Sequence, residues 1–443
     1  MAKILHKMYK QSNRRVFLKQ AAAAAVGAAG FPYLICPSAL GKNGTTPPGS
    51  RIVLAIIGAG SMGRANLNSF LALEQAVQVV AVCDVDDRHA QDAKAEIDKK
   101  YGNRDCRVYR DYRQLLEKES LDAVSIAVPD HWHAAIAIAC ADKGLDIYGE
   151  KPLARTIGEG RLICQAVERS SVVWQTGSWQ RSVRNFHQAC ELVINGRIGK
   201  VDYVEVGLPN GPQGRPFKPL NVPEGFDWEM WLGPAPWRPY QDFGRGNCHW
   251  DWRWIMDYSG GQLTDWAGHH IDIAHWGLGL DYEGPVAIEG KGDYPSDGIY
   301  DAPYAYDFMC TYANGLKIRV ANAGKQPHGG GVRWYGDKGW IHVDRGRLEA
   351  SSPAILQEKI GADEIRLYKS ENHHLNFIEC IKSRRQTITP AQIAHRSISV
   401  GLLGEIAMLT GRKLRWNPKT EQFINDAGAD SMLMRAFRSP WRI

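Results

Sequence analysis

The sequence lacks the features that mark several large protein classes. Its nine cysteines are scattered, with no C-x-x-C pair and no paired spacing, so no disulfide framework is written into it. Cys83, Cys140 and Cys164 fall inside apolar strand or helix patterns and read as small core residues. No apolar run is long enough to cross a bilayer. There is no internal repeat and no low-complexity block beyond the first residues. A lasting excess of charge is missing too. The formal charge is +6, but of the 54 basic residues six (Lys3, Lys7, Lys10, Arg14, Arg15, Lys19) lie in the first 41 positions beside no acid, and the remaining 48 balance 48 acids. That balance removes the electrostatic case for nucleic acid or an anionic membrane as partner.

What is there begins with a leader. A basic start, a small-residue run from Ala21 to Ala29 and a polar exit make the pattern of a signal peptide. Arg14-Arg15 followed by Phe17-Leu18-Lys19 resembles a twin-arginine export signal, with Asn13 where Ser or Thr is usual. A basic amphipathic N-terminus of a cytoplasmic protein is the alternative. Ala39-Leu40-Gly41 offers small residues for cleavage, and Ile35 is too bulky for lipidation at Cys36. The expectation is a signal peptide over 1–41, a Gly/Pro/Thr linker over 42–50, the twin-arginine machinery as a partner, and a periplasmic or otherwise exported protein. Export without disulfides fits a route that folds its cargo in the reducing cytoplasm.

At 443 residues the chain exceeds one hydrophobic core, and 44% hydrophobic with 23% charged residues is ordinary globular composition. From Arg51 to Gly177 strand-like and helix-like segments alternate: "VQVVAVCDV" as a strand, Arg88–Tyr101 as a helix, "DAVSIAV" as a strand, His133–Lys143 as a helix, then "LDIYGEKP", a helix capped by Thr156, and "VVWQTG". Such alternation predicts βαβ units and a parallel sheet. From 178 to 443 the texture changes. Ser182–Asn195 reads as a helix, "KVDYVEVGL" as a half-buried strand, and Asn210–Asp257, rich in Pro, Gly and Trp, as mostly irregular. "YAYDFMCTYA", "LKIRVAN", "GVRWYG" and "GWIHVD" predict an antiparallel sheet, followed by helices at Leu375–Arg384 and Ile393–Leu409. The fold class is α/β followed by α+β.

"GAGSMG" sets Gly58, Gly60 and Gly63 in G-x-G-x-x-G spacing after a strand and before a helix, with Ser61 and Met62 at the helix start. Asp84, at the end of the second strand, can accept from both ribose hydroxyls and would repel a 2′-phosphate, which favours NAD over NADP. A glycine-rich turn of another α/β protein is the alternative. Glu150, Lys151 and Pro152 follow the fifth strand, at the sheet edge where ligands bind. "GGQLTDWAGHHIDIAHW" carries Asp265 and His269 at i, i+4 on an expected helix, a carboxylate placed to fix an imidazole base. Two rivals stand beside that reading: a polar face on a core helix, and a metal site from His269, Asp272 and His270 or His275, although no complete ligand motif is present.

"GAGSMG", "PDHWH" (Pro129 to His133), "EKP" and "GGQLTDWAGHHID" together resemble the glucose–fructose oxidoreductase/inositol dehydrogenase/MocA family, over essentially the whole chain past the leader. The resemblance implies an N-terminal doubly wound Rossmann domain and a C-terminal domain on a large open sheet, often used to form homo-oligomers. It implies Lys151, Asp265 and His269 as catalytic residues, Pro129 and His133 in the loop over the cofactor, and no metal. His270, Trp179 and Arg181 are expected at a carbohydrate substrate. Asp130 stands where Asn is common, and Asn210–Asp257 is a long insertion similar to exported members. Ten of the fifteen tryptophans lie between Trp174 and Trp276; two or three are expected to touch substrate. The implied function is NAD-dependent oxidation of a sugar, polyol or glycoside hydroxyl with a cofactor carried out of the cell and recycled in place. The alternatives are a glycoside hydrolase that oxidises at C3, eliminates, hydrates and reduces, and a non-catalytic dinucleotide- or sugar-binding protein.

Overall fold

The computed structural model describes residues 48–244 and 248–443; the leader, its cleavage site and most of the linker lie outside the described residues. Six short strands form the first sheet: β1 (Ile52–Ile57), β2 (Val77–Cys83), β3 (Arg107–Tyr109), β4 (Ala123–Ile126), β5 (Asp146–Gly149) and β6 (Trp174–Thr176). Their order is 3-2-1-4-5-6 and every pairing is parallel. This is the doubly wound Rossmann order. Apolar residues fill both faces of β1 and β4 because helices cover both sides. Those helices are α1 (Ser61–Leu71), α2 (Asp87–Tyr101), α3 (Tyr112–Lys118), α4 (Asp130–Asp142) and α5 (Ile157–Ser170).

Their ends follow capping chemistry. The Asp86 side chain accepts from Arg88 N at 2.9 Å to open α2, and Thr156 accepts from Glu159 N at 3.3 Å to open α5, as expected. α4 starts at Asp130, three residues before the expected His133, since Pro129 precedes the helix and Asp130 favours its first turn. β3 and α3, at three and seven residues, are too short to show a period and were not anticipated.

The second sheet has nine strands: β7 (Val201–Leu208), β8 (Ala287–Asp293), β9 (Ala305–Thr311), β10 (Lys317–Asn322), β11 (Gly331–Gly336), β12 (Gly339–Asp344), β13 (Arg347–Ala350), β14 (Leu414–Asn417) and β15 (Gln422–Phe423). The order is 13-12-11-7-10-9-8-14-15, antiparallel throughout except that β7 pairs with β10 in parallel. Val204, Val206, Ile318, Val320, Val332 and Trp334 point to one face and are fully buried there. The long helix Ala391–Thr410 packs on that sheet, against β8 and β9. Glycines at 290 and 292 hid β8 from a strand pattern.

The insertion has few regular elements, as expected, but it is not loosely packed. Phe226, Trp228, Trp231, Phe243, Trp254 and Tyr258 belong to a separate aromatic core, in which Trp228 and Trp231 stack with ring centroids 4.7 Å apart. Its backbone is stitched to the loop after β2: Asp227 N donates to Val85 O and Asp87 N to Gly225 O, each at 2.9 Å. The insertion therefore closes over the carboxyl edge of the first sheet. All eight described cysteines are free and buried, which agrees with their reading as core residues.

Candidate active site

The three glycines of the first loop have different jobs. A Cβ at Gly58 (φ +86°) would sit 2.3 Å from Ala127 O, and one at Gly63 would sit 1.9 Å from Gly58 O. Both glycines are required by the protein's own packing. A Cβ on Gly60 would meet nothing within 4 Å, and Gly60 opens α1 without any side-chain cap. Free helix N–H groups beside open space are what a pyrophosphate needs. At the end of β2, Asp84 is fixed by Ala59 N at 2.6 Å and Asp86 N at 2.9 Å. Burial raises its pKa while those two bonds oppose the rise. The residues present thus fit a dinucleotide, with Asp84 at its ribose and Gly58 to Met62 at its phosphates.

These groups line one wall of a cleft of about 1080 Å³, open solvent at its mouth included, together with Pro129, Glu150 and Lys151. The opposite wall comes from the insertion: Met230, Trp231, His249, Trp252 and Arg253. His249 meets Asp86 at 3.0 Å and lies against His89, so the two walls touch beside Asp84. Asp86, His89 and His249 are also the one trio of possible metal ligands among the described residues. No signal in the sequence pointed to His249 or Arg253, since the insertion has no period to read.

At the far end of the cavity Lys151 Nζ pairs with Asp265 Oδ1 at 2.7 Å, and Arg253 Nε lies 3.6 Å from the same oxygen. Burial would raise the Asp265 pKa, but the Lys151 and Arg253 cations outweigh it and hold it below the usual carboxylate range. Asp265 and His269 were expected to share a helix face. The helix Gly261–Trp266 instead runs into a π turn at Ala267–Ile271. The wider turn breaks the i, i+4 alignment, and the carboxylate holds Lys151 rather than the imidazole. Gly268 inside that turn lets Lys151 pack against it, where a Cβ would be 3.1 Å from Lys151 Cβ.

His269 is set just behind the cavity wall, edge-on to Trp179 and Trp266. Its Nδ1 is buried without a partner among the described residues. Burial first, then the nearby Lys151 and Arg345 cations, push its pKa well below the usual histidine value. The ring is a neutral imidazole with a free nitrogen. Asp130, on the cavity wall, accepts from Ser259 Oγ at 2.6 Å, and burial pushes its pKa up to about 7. Glu150 accepts from Asn66 Nδ2 at 2.9 Å, and burial raises it too.

Several expected contacts fall elsewhere. Arg181 is fully buried between Asp272 (2.7 and 2.8 Å) and Asp281 (2.7 and 3.1 Å), a structural ion cluster with no face to a substrate. His270 is buried under Trp266 and 3.6 Å from Asp344, off the cavity wall. His133 sits between the carbonyls of Pro152 (2.7 Å) and Val128 (2.9 Å), donating its one ring N–H to either, so it braces the cofactor loop rather than lining it. The metal alternative on the His-rich helix fails because Asp272 is claimed by Arg181 and His275 Nε2 by Tyr312 Oη at 2.6 Å. Trp179 lies beside His269, with ring centroids 6.0 Å apart, and is not among the residues that line the cleft.

Sheet order and glycine cradle define a dinucleotide-binding Rossmann protein with a second, sheet-based domain. Family models agree: an oxidoreductase NAD-binding Rossmann fold matches residues 52–178, and an oxidoreductase-family C-terminal alpha/beta domain matches 213–443. The chain belongs to the Gfo/Idh/MocA oxidoreductase family. It is 22% identical to a scyllo-inositol 2-dehydrogenase (NAD(+)) of Bacillus subtilis over 82% of this chain and 96% of that one. It is 25% identical to a glycosyl hydrolase family 109 protein of Stenotrophomonas maltophilia over 82% and 80%. The chain spans about half (51%) of the length of another relative, a myo-inositol 2-dehydrogenase of Thermotoga maritima, at 27% identity over 40% of this chain. Among solved structures, the WlbA dehydrogenase of Bordetella pertussis, in complex with NADH and UDP-GlcNAcA, shares the fold at a TM-score of 0.62 and 16% identity, over 83% of this chain and 99% of that one.

Proposed function

We propose that this protein is an NAD-dependent oxidoreductase that acts on a hydroxyl of a sugar, polyol or glycoside and keeps its cofactor through the cycle. The observation that carries the reading is the pairing of Lys151 with Asp265 at the end of a dinucleotide cavity, beside a neutral, unpartnered His269. NAD, when bound, supplies the hydride acceptor. His269, as a neutral imidazole, takes the hydroxyl proton. Lys151, held in place by Asp265, donates a hydrogen bond to the same oxygen and stabilises its developing negative charge. Retention is supported by the second wall: Met230, Trp231, His249 and Trp252 cover ground that an open Rossmann crevice leaves to solvent. It also gives the leader a purpose, since an exported enzyme meets little free NAD and would carry its own.

Homo-oligomer formation is supported by the other face of the nine-stranded sheet, where Tyr203, Arg319, Tyr335 and Trp340 stand partly exposed. A second net reaction, glycoside hydrolysis by oxidation, elimination, hydration and reduction, is favoured by Asp130. A buried acid with a pKa near 7 on the cavity wall can give and take a proton where elimination needs one. The family 109 relative is consistent with it.

The test loads purified protein with radiolabelled NAD, then offers a panel of sugars, polyols and glycosides with excess unlabelled NAD. Label should stay with the protein through many turnovers, and His269→Asn should slow turnover about a hundredfold without loss of label. Rapid exchange with NADH accumulating in solution would leave an ordinary dehydrogenase; no turnover with any class would leave a binding protein.

A further inference from the structure

Arginines in this fold are mostly held by carboxylates. Arg155 is filled by Glu405 and Arg181 by Asp272 and Asp281, in each case across the guanidinium fork. Arg345, in the turn between β12 and β13, is different. Its guanidinium carbon lies 4.7 Å from the Trp179 ring centre and 4.4 Å from that of Trp266. Those two indoles also flank His269, with ring centroids 6.0 and 5.7 Å away. With its amide turned so that both ends are satisfied, fully buried Gln180 accepts from Arg345 Nε at 3.1 Å and donates to His269 O at 3.1 Å. Asp344, the adjacent acid, accepts from the Arg345 backbone N–H at 2.7 Å and lies 3.6 Å from His270 instead. Neither Nη of Arg345 has a hydrogen-bond or ion-pair partner among the described residues. The head is thus fixed at three points, with its two outer nitrogens exposed on the same indole pair as the base.

We propose that Arg345 receives an anionic group of the substrate, so that the sugar handled here carries a uronate carboxylate or a sulfate ester. This rests on the oxidoreductase reading above and names its substrate class. A guanidinium fork matches two side-by-side oxygens, and pre-orientation by the indoles and Gln180 lowers the entropy lost on binding. The same fork is poor at holding a single neutral hydroxyl. Asp265 makes its close contacts with Lys151 and Arg253 and, like Asp344, acts on Arg345 only through space, so no carboxylate occupies the fork.

The test is calorimetric binding of matched methyl glycosides to the NAD-loaded protein: glucoside, glucuronide and sulfated glucoside. At least one anionic sugar should bind roughly tenfold to a hundredfold tighter than the neutral one, and the winner identifies the source of the anion. Arg345→Gln should bring that ratio to within about threefold, and Arg345→Lys, which keeps charge but loses the fork, should fall between. Retained NAD content and an unchanged melting temperature show that the variants are folded. A neutral sugar binding as tightly, a preference that survives Arg345→Gln, or no binding of either anion up to millimolar concentration overturns the proposal. Reduction of the bound cofactor is read in parallel. Anion preference without any reduction overturns the oxidoreductase reading alone; reduction by neutral sugars alone, indifferent to Arg345, overturns the anion site alone.

Discussion

Lys151 and Asp265 form an ion pair whose side chains are only 12% and 17% exposed, so their coupling can be estimated and measured. At an effective dielectric of about 20, unit charges about 3–4 Å apart attract by roughly 4–6 kcal/mol. Desolvation of both groups removes most of that, leaving a net coupling of about 1–3 kcal/mol. Lys151→Met, Asp265→Asn and the double variant make the cycle. Each single change should lower stability by about 1–3 kcal/mol in urea titrations, with the double costing less than the sum. Turnover should divide differently. Lys151→Met removes the donor to the reacting oxygen and should cost roughly a hundredfold to a thousandfold. Asp265→Asn keeps the ammonium, which still meets the Asp265 carbonyl at 3.3 Å, and should cost about tenfold. The pH dependence has a definite sign. Because the Asp265 pKa is lowered by folding, its contribution is present above the unfolded value of about 4 and is lost as pH falls through the folded value. The gap between wild type and Asp265→Asn should therefore close only below about pH 4. A coupling within about 0.5 kcal/mol of zero, or near-normal turnover in Lys151→Met, would refute this account.

The two cradle glycines should separate binding from folding. Gly60→Ala places its Cβ in open space and should leave stability within about 0.5 kcal/mol while abolishing bound NAD; Gly63→Ala collides with Gly58 O and should cost about 1–3 kcal/mol in thermal unfolding. Glu421 bonds His395 at 2.6 Å, Arg161 at 2.6 Å and Arg396 at 3.0 Å; burial pulls its pKa up, but these partners hold it down to about 2. Wild type should exceed Glu421→Gln in melting temperature above the unfolded value of about pH 4, and the difference should vanish as pH falls toward 2. Changing Arg14 and Arg15 to Lys should trap folded, NAD-loaded protein in the cytoplasm, read by cell fractionation; continued export through the general secretory route would remove the case for preloading.

Much of the first domain was legible in the chain itself. Gly58 and Gly63, held to glycine by backbone conformation or close packing, announce a cradle together with Gly60 and Asp84. Alternating apolar runs give strands and helices because burial on two faces leaves no other economical pattern. The cysteine reading needed only composition. Tertiary structure decided the rest. A π turn, set by packing around Gly268, sent Asp265 to Lys151 instead of His269. Arg181 looked like a substrate contact until two acids nearly a hundred residues away closed on it. The second cavity wall and Arg345 come from an aperiodic insertion and a hairpin turn, where no spacing rule applies and only the folded neighbours fix direction. Short-range chemistry is set by what adjacent residues permit, but a side chain's partner across the chain is chosen by packing.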